Sequence, residues 1–175
     1  MPAGELGRGG GSGRFPPHFC MVALGVSHRG VAPPYFCPCG LEIDGPAYEN
    51  MAENAYAPFT QSTYGSDCSA FQQDGAPSHT AQNTAKKLAE IFGKNRIAQN
   101  PPNSPDLSVL DYHIWDCVDK KAQSMQPRDT AELKKSIASA RNGLDMGEAR
   151  KAIESWPKLL QKRIDAGGAR FGHSL

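Results

Sequence analysis

FQQDGAPSHTA (residues 71–81) and NSPDLSVLDYHIWD (residues 103–116) decide how this chain is to be read. The first begins as the end of a short apolar strand, Cys68 to Gln73, and breaks at once into Asp74-Gly75-Ala76-Pro77, a turn composition. A strand end is rigid, so Asp74 is aimed from the rim of a sheet. In the second, the prolines of residues 101–105 enforce an irregular loop. That loop delivers a helix whose stripe is Leu110, Ile114 and Val118, with Trp115 beside it as a core residue and Asp111 near its start. Thirty-six residues lie between the two aspartates.

Working outward, FCMVALGV (residues 19–26) is a continuous apolar run ending in Ser-His-Arg-Gly, which predicts a buried strand and a turn. Residues 31–37 return as an edge strand carrying Pro33 and Pro34, and Leu41 to Gly45 continue it into a further turn. Residues 46–57 place Tyr48, Met51, Ala52 and Tyr56 at helical spacing behind Pro46. Ser78 or Thr80 caps a helix to Phe92, with Ala81, Ala85, Leu88 and Ile91 as its stripe and Gly93 as its stop. Arg96 to Ala98 reads as one more short strand. Asp129 and Glu132 form a capping box for a helix burying Leu133, Ile137 and Ala140. A last helix, Gly147 to Asp165, is expected to be interrupted at Trp156-Pro157. Strands first and helices after predict an α/β or α+β domain with a mixed sheet and a helical C-terminal half.

Composition sets the outer bounds. At 175 residues the chain suits one domain plus an arm. No apolar run reaches the ~20 residues of a membrane helix, and the opening segment lacks the apolar core of a secretory signal, so a soluble, intracellular chain is expected. Residues 1–15 read as a flexible, Gly-rich lead-in and residues 16–175 as the domain. The net charge of +1 conceals a division: three Lys/Arg against six Asp/Glu through residue 71, then sixteen against twelve. The basic pairs of the second part, Lys162-Arg163 among them, fit either solvated helix faces or a surface facing a polyanion. Five cysteines without a secretory signal are expected to be reduced thiols. A zinc site from Cys37, Cys39, His113 and Cys117 has no diagnostic spacing, and burial as small apolar residues is the simpler reading of the cysteines.

Carboxylates converging from a strand end and a helix suit hard divalent cations, which take oxygen ligands and keep several waters. Two such ions roughly 3.5–4 Å apart activate an attacking oxygen and stabilise the leaving one in phosphoryl displacement. Simpler roles compete at both positions. Asp-Gly is a common turn dipeptide, and an aspartate in a helix's first turn is favourable there.

QQDGAPSHTA and PPNSPDLSVLDYHIW resemble the two signature blocks of the mariner superfamily of transposases, QDNAPxH and SPDLNPxD or SPDLNPxE, at a spacing in the mid-thirties. FCMVALGVSHRGVAPPYF resembles the strand VMVWGGVS and its successor, and PKLLQKRIDAGGARF the terminal helix, so the resemblance covers about residues 16–172. It implies a ribonuclease H-like domain that cuts and joins DNA through a metal-bound acidic triad. Asp74 and Asp111 are then metal ligands and catalytic residues, with Mg²⁺ or Mn²⁺ as the cofactor. Asp106 belongs to the loop, and His79 lies near metal or DNA or serves the helix start. The resemblance also implies transposon-end DNA as partner, room for a homodimer, a nuclear location, and neither a membrane nor a small-molecule cofactor.

Three departures qualify it. Ala23 or Leu24 stands where the pattern has Trp, and Val109 where it has Pro. The family's first catalytic aspartate lies on a strand before FCMVALGV, with a helix-turn-helix region before that; residues 1–15 contain Glu5 and no Asp. The expectation is a fold lacking the first central strand, a weak metal site and a chain inactive alone. The strands of residues 19–26 and 68–73 must then pair with each other or leave open edges. A non-catalytic DNA-binding or interaction module built on the basic helical half is the competing reading. A gene whose upstream sequence supplies the first aspartate is the third. A marginal domain should melt broadly; a sharp cooperative transition of a monomer would count against this expectation.

Overall fold

The computed structural model describes residues 4–6, 20–38, 43–65, 70–101 and 104–168. Strand β2 (Cys20–Ala23) is the spine. Its alternation sends Cys20, Val22 and Leu24 into one core and Ala23 into another. The near-continuous apolar reading of residues 19–26 follows from this, because both faces of the strand are covered.

The first core joins that face of β2 to Leu110, Ile114, Val118 and Ala122, and to Leu133, Ile137 and Ala140. These lie on a π-helical turn (Leu110–Ile114) running into α5 (Trp115–Ser124), and on α6 (Thr130–Asn142). Trp115 packs against this core as expected, although its indole N–H is buried without a partner among the described residues. The second core gathers Tyr48, Met51, Tyr56, Phe71, Leu88 and Phe92. It is built from α1 (Gly45–Met51), the turn after it and α2 (Ala57–Tyr64), with α4 (Gln82–Phe92), around β6 (Phe71–Gln73); α3 (Pro77–Thr80) lies against α1 and α4. Phe71 and Phe92 stack there with centroids 4.3 Å apart. Helices therefore cover a strand layer on both sides.

The strand layer is in three pieces. β1 (Gly4–Leu6), β2 and β5 (Tyr35–Phe36) form an antiparallel sheet with β2 central. β3 (Val26–Ser27) and β4 (Gly30–Val31) make a hairpin, and β6 pairs in parallel with β7 (Ile97–Gln99). Parallel and antiparallel pairings both occur, but in separate small sheets, so the expected single mixed sheet is not formed among the described residues. The expected strand over residues 31–37 is split by Pro33-Pro34 into β4 and β5. β2 and β6 are not paired with each other. Beside β2, Gly4–Leu6 occupies the side opposite β5, with Glu5 across from Met21. Three residues of the stretch read as a flexible lead-in, and as the place of an absent strand, are therefore extended and paired. The rest of residues 1–15 lies outside the described residues, as do Cys39, Leu41, Glu42, Cys68 and Asn103.

Three helices depart from expectation for identifiable reasons. The helix over residues 46–57 continues to Tyr64 through Pro58. A π-helical turn (Ala52–Tyr56) precedes that proline, and i→i+5 bonding lets carbonyls bypass a residue without an N–H. The stretch from Ser78 to Phe92 is two helices, because Ala81 is extended; the buried face of α4 is Thr84, Leu88 and Phe92, with Ala81 and Ala85 exposed. Finally, α7 (Met146–Asp165) runs unbroken through Pro157. One lost backbone bond is offset by contacts on either side of the proline: the Tyr112 hydroxyl to the Ala152 carbonyl at 2.7 Å, the Trp156 indole to the Leu107 carbonyl at 2.9 Å, and buried Leu159. The capping box holds, with Asp129 accepting from the Glu132 N–H at 2.7 Å.

Arg141 of α6 donates to the carbonyls of Val31 and Ala32, fastening the helical layer to the β3–β4 hairpin. Ile137, 1% exposed, sits where α6 meets that layer. Ile137→Ala should cost about 2–5 kcal/mol of unfolding free energy, read as a lowered denaturant midpoint at unchanged m-value.

Candidate active site

The turn after β6 sets the first carboxylate. Asp74 Oδ1 accepts the Ala76 N–H at 3.0 Å, closing an Asx turn. Pro77 then opens α3 at a position that needs no N–H, and that short helix carries His79 back onto the aspartate. His79 Nδ1 lies 2.6 Å from the same Oδ1. Burial pushes the Asp74 carboxyl up, but the bonds from His79 and Ala76 outweigh it and hold the pKa below the usual value. An ionised carboxylate only accepts, so Nδ1 carries the proton of this bond. Both bonds fall on Oδ1, which leaves Oδ2 to meet a ligand.

His79 is 3% exposed and stacks on Tyr48, centroids 3.8 Å apart. Burial pushes the Tyr48 phenol well above its ordinary range, so it stays a donor, and it donates to Gln73 Oε1 at 2.9 Å. Gln73 Nε2 donates in turn to the His79 carbonyl at 3.2 Å. Asp74 is thus braced from α1 through its own strand residue. A buried, stacked His79 is placed to hold Asp74; it is not on open surface.

The second carboxylate hangs on the proline-rich segment. Pro105–Leu107 forms one 3-10 turn, and the Ser108 carbonyl accepts the N–H groups of both Asp111 and Tyr112 at 3.0 Å. Asp111 lies in the π-helical turn, a geometry frequent at functional sites. Burial raises its pKa, the Ser108 hydroxyl opposes the rise by donating to it, and the negative charge of Asp74 adds to it. Asp111 is an exposed residue that also lines a cleft.

That cleft is a cavity of about 350 Å³ with Asp74, Asn100, Ser104, Ser108 and Asp111 on its walls. Two carboxylates from segments far apart in sequence therefore share one cavity and feel each other's charge. A cation placed between them would relieve the repulsion. The donors are hard oxygens, the set that suits Mg²⁺ or Mn²⁺ rather than zinc. No group of three or more His, Cys, Asp or Glu side chains able to hold a metal gathers among the described residues, so Cys37, His113 and Cys117 do not come together as a zinc site, while Cys39 lies outside them. His113 and Cys117 touch each other at 3.9 Å on their helix without further ligands there.

Four supports went unread in the sequence: Tyr48, Gln73, Ser108 and the Asp106–Arg163 pair. Ser108 had a signal, since Ser at three residues before Asp is a capping pattern. Tyr48 and Arg163 had none, because their partners lie 25 and 57 residues away.

An α/β domain that turns two aspartates, one from a strand end and one from a helix start, into a single polar cleft is thereby defined. No family model matches the chain. It is homologous to the Tc1/mariner transposases. It is 27% identical over 128 residues to the Tcb2 transposase of Caenorhabditis briggsae, covering 72% of the chain and 45% of that protein. To the Tc1 transposase of Caenorhabditis elegans it is 26% identical over 123 residues, 69% of the chain and 43% of that protein. The chain spans less than half the length of these relatives. Its fold matches the crystal structure of the Mos1 mariner transposase catalytic domain with TM-score 0.75 at 20% identity, over 89% of this chain and 78% of that one. The Mos1 paired-end complex with Mg matches with TM-score 0.74 at 20% identity, over 98% and 51%.

The raised pKa of Asp111 sets a testable sign. A carboxyl bound more tightly to its proton in the folded state destabilises that state once ionised, above its folded pKa, and has no such effect below the unfolded value near ~3.9. Metal-free Asp111→Asn should therefore melt higher than the parent at pH 7, with the gain vanishing towards pH 3.5. An equal gain at both pH values would refute the charge explanation.

Proposed function

We propose that this chain forms the metal-holding part of a cut-and-paste transposase, a ribonuclease H-like domain acting on phosphodiester bonds of transposon-end DNA. The observation that carries the reading is the shared cavity. Asp74 and Asp111 face it together, and the charge of one raises the pKa of the other. Homology to the Tc1 and Tcb transposases supports the same reading. Mos1 catalytic-domain structures have been solved with Mg and with Mn, and Mos1 also as paired-end and strand transfer complexes.

Asp74 Oδ2 and the Asp111 carboxylate are the residues that would hold the divalent ion. When bound, such an ion activates an attacking oxygen and neutralises charge on the leaving one. The remaining work belongs to the chain. His79 and the Ala76 N–H fix Asp74 Oδ1 and keep the carboxylate ionised. Ser108 orients Asp111. DNA as partner, pairing of two copies on two ends, and a nuclear location follow from the reading and are proposed with it.

Only two carboxylates stand together at the cavity among the described residues, so metal should bind weakly and phosphodiester cleavage by the 175-residue chain should be negligible. Calorimetric titration with Mn²⁺ should show saturable binding that Asp74→Asn and Asp111→Asn each abolish. Incubation with transposon-end duplex should leave the DNA intact. Metal-dependent nicking lost on Asp74→Ala would overturn the inactivity. Absence of Mn²⁺ binding together with salt-sensitive DNA binding, unchanged in both variants, would favour a non-catalytic binding module instead.

A further inference from the structure

We propose that Arg163 is a positioning residue for Asp111, acting by clamping the Pro105–Leu107 turn against α7. The idea rests on the metal-site reading above and names what holds that site's second carboxylate in place.

Arg163 belongs to one of the Lys/Arg pairs that read equally well as solvated or polyanion-facing. Lys162 is exposed, but Arg163 turns inward. Its Nη1 lies 3.2 Å from Asp106 Oδ2 and 3.5 Å from Oδ1. The two side chains are only 11% and 7% exposed, whereas Lys120–Asp116 and Arg128–Glu132 are pairs within one surface segment. A buried pair of this kind is screened little by water, and removing one partner leaves the other charge uncompensated.

The pair is one end of a row. Ala152, Trp156 and Arg163 are four and seven residues apart, so they share one face of α7. They touch Tyr112, Leu107 and Asp106 respectively. Asp111 is bracketed by these contacts, with two before it and one after. The segment from Ser104 to Ser108 has no strand partner. Besides α7, Asn100 and Gln72 also hold it, donating to the Leu107 carbonyl at 3.4 and 3.3 Å. Ser108, the next residue, carries both N–H bonds that start the Asp111 turn. A tilt of the 3-10 turn therefore reaches Asp111 within four residues, and the Arg163–Asp106 pair is the charged contact that resists it.

The test reads Asp111 directly. In Arg163→Met, which keeps the apolar stem and removes the charge, hydrogen exchange of the Asp111 and Tyr112 amides should speed about tenfold at a temperature well below melting, with β6 amides unchanged. Mn²⁺ affinity should fall about fivefold, and Arg163→Lys should recover most of it. If Arg163→Met does not fold, the double replacement Asp106→Asn/Arg163→Met leaves no unpaired charge and carries the same two readouts. A lowered melting temperature with parental exchange at residues 108–112 and parental Mn²⁺ affinity would overturn the proposal, leaving Arg163 a stabilising residue only. If the parent chain binds no Mn²⁺, the metal reading fails by itself. The exchange arm then decides the clamp: lost protection supports it, and retained protection overturns it.

Discussion

Two like charges held against one cleft are the constraint around which this molecule is arranged. Asp74 and Asp111 repel, and nothing in either local segment would bring them together. They stay because each is fixed by its own support. Asp74 is locked by an Asx turn and by a buried histidine that is itself wedged under Tyr48. Asp111 is locked by a doubly accepting carbonyl and by α7 lying across the turn before it. The two supports meet at the Leu107 carbonyl, which accepts from Gln72 of β6 and from Trp156 of α7. One belongs to the core around β6, the other to the layer of α5 and α7.

The environments of the two carboxylates differ in direction as well as in structure. Hydrogen bonds pull Asp74 towards the ionised form, while burial and its neighbour's charge push Asp111 away from it. Such a pair stores electrostatic strain that a bound cation would release, as expected of the metal site proposed above. Elsewhere the molecule is conventional. β2 divides two apolar cores by simple alternation, and helices seal both sides. Polar atoms are buried mostly where they serve the cleft: Gln73, His79, Asn100, Ser104, Asp106 and Ser108 are all among the buried polar residues.

Much of this was legible because local chemistry determined it. Asp74 stands at the end of an apolar strand before Gly and Pro, and Asp111 after a proline-built loop, so each position could be read from its neighbours. The Leu110/Ile114/Val118 stripe and the Asp129 cap were legible for the same reason. Failures came where tertiary contacts overrode local rules. Pro157 should have broken α7, and did not, because Trp156 and Tyr112 bind the helix on one side and Leu159 on the other. Pro58 was absorbed by a π-helical turn. The stripe of α4 was read rightly at Leu88 but not at Ala85, since Thr84 is buried in its place and donates to Glu49 Oε1 of α1. Arg163 looked like one more surface cation because nothing near it in sequence announces Asp106.

Diffraction from crystals soaked in Mn²⁺ bears most directly on the central claim that the two aspartates form one metal site. The account predicts an anomalous difference peak within coordinating distance of Asp74 Oδ2 and an Asp111 carboxylate oxygen, absent from crystals of Asp74→Asn. A peak elsewhere, or one at this cleft that survives replacement of either aspartate, would contradict it.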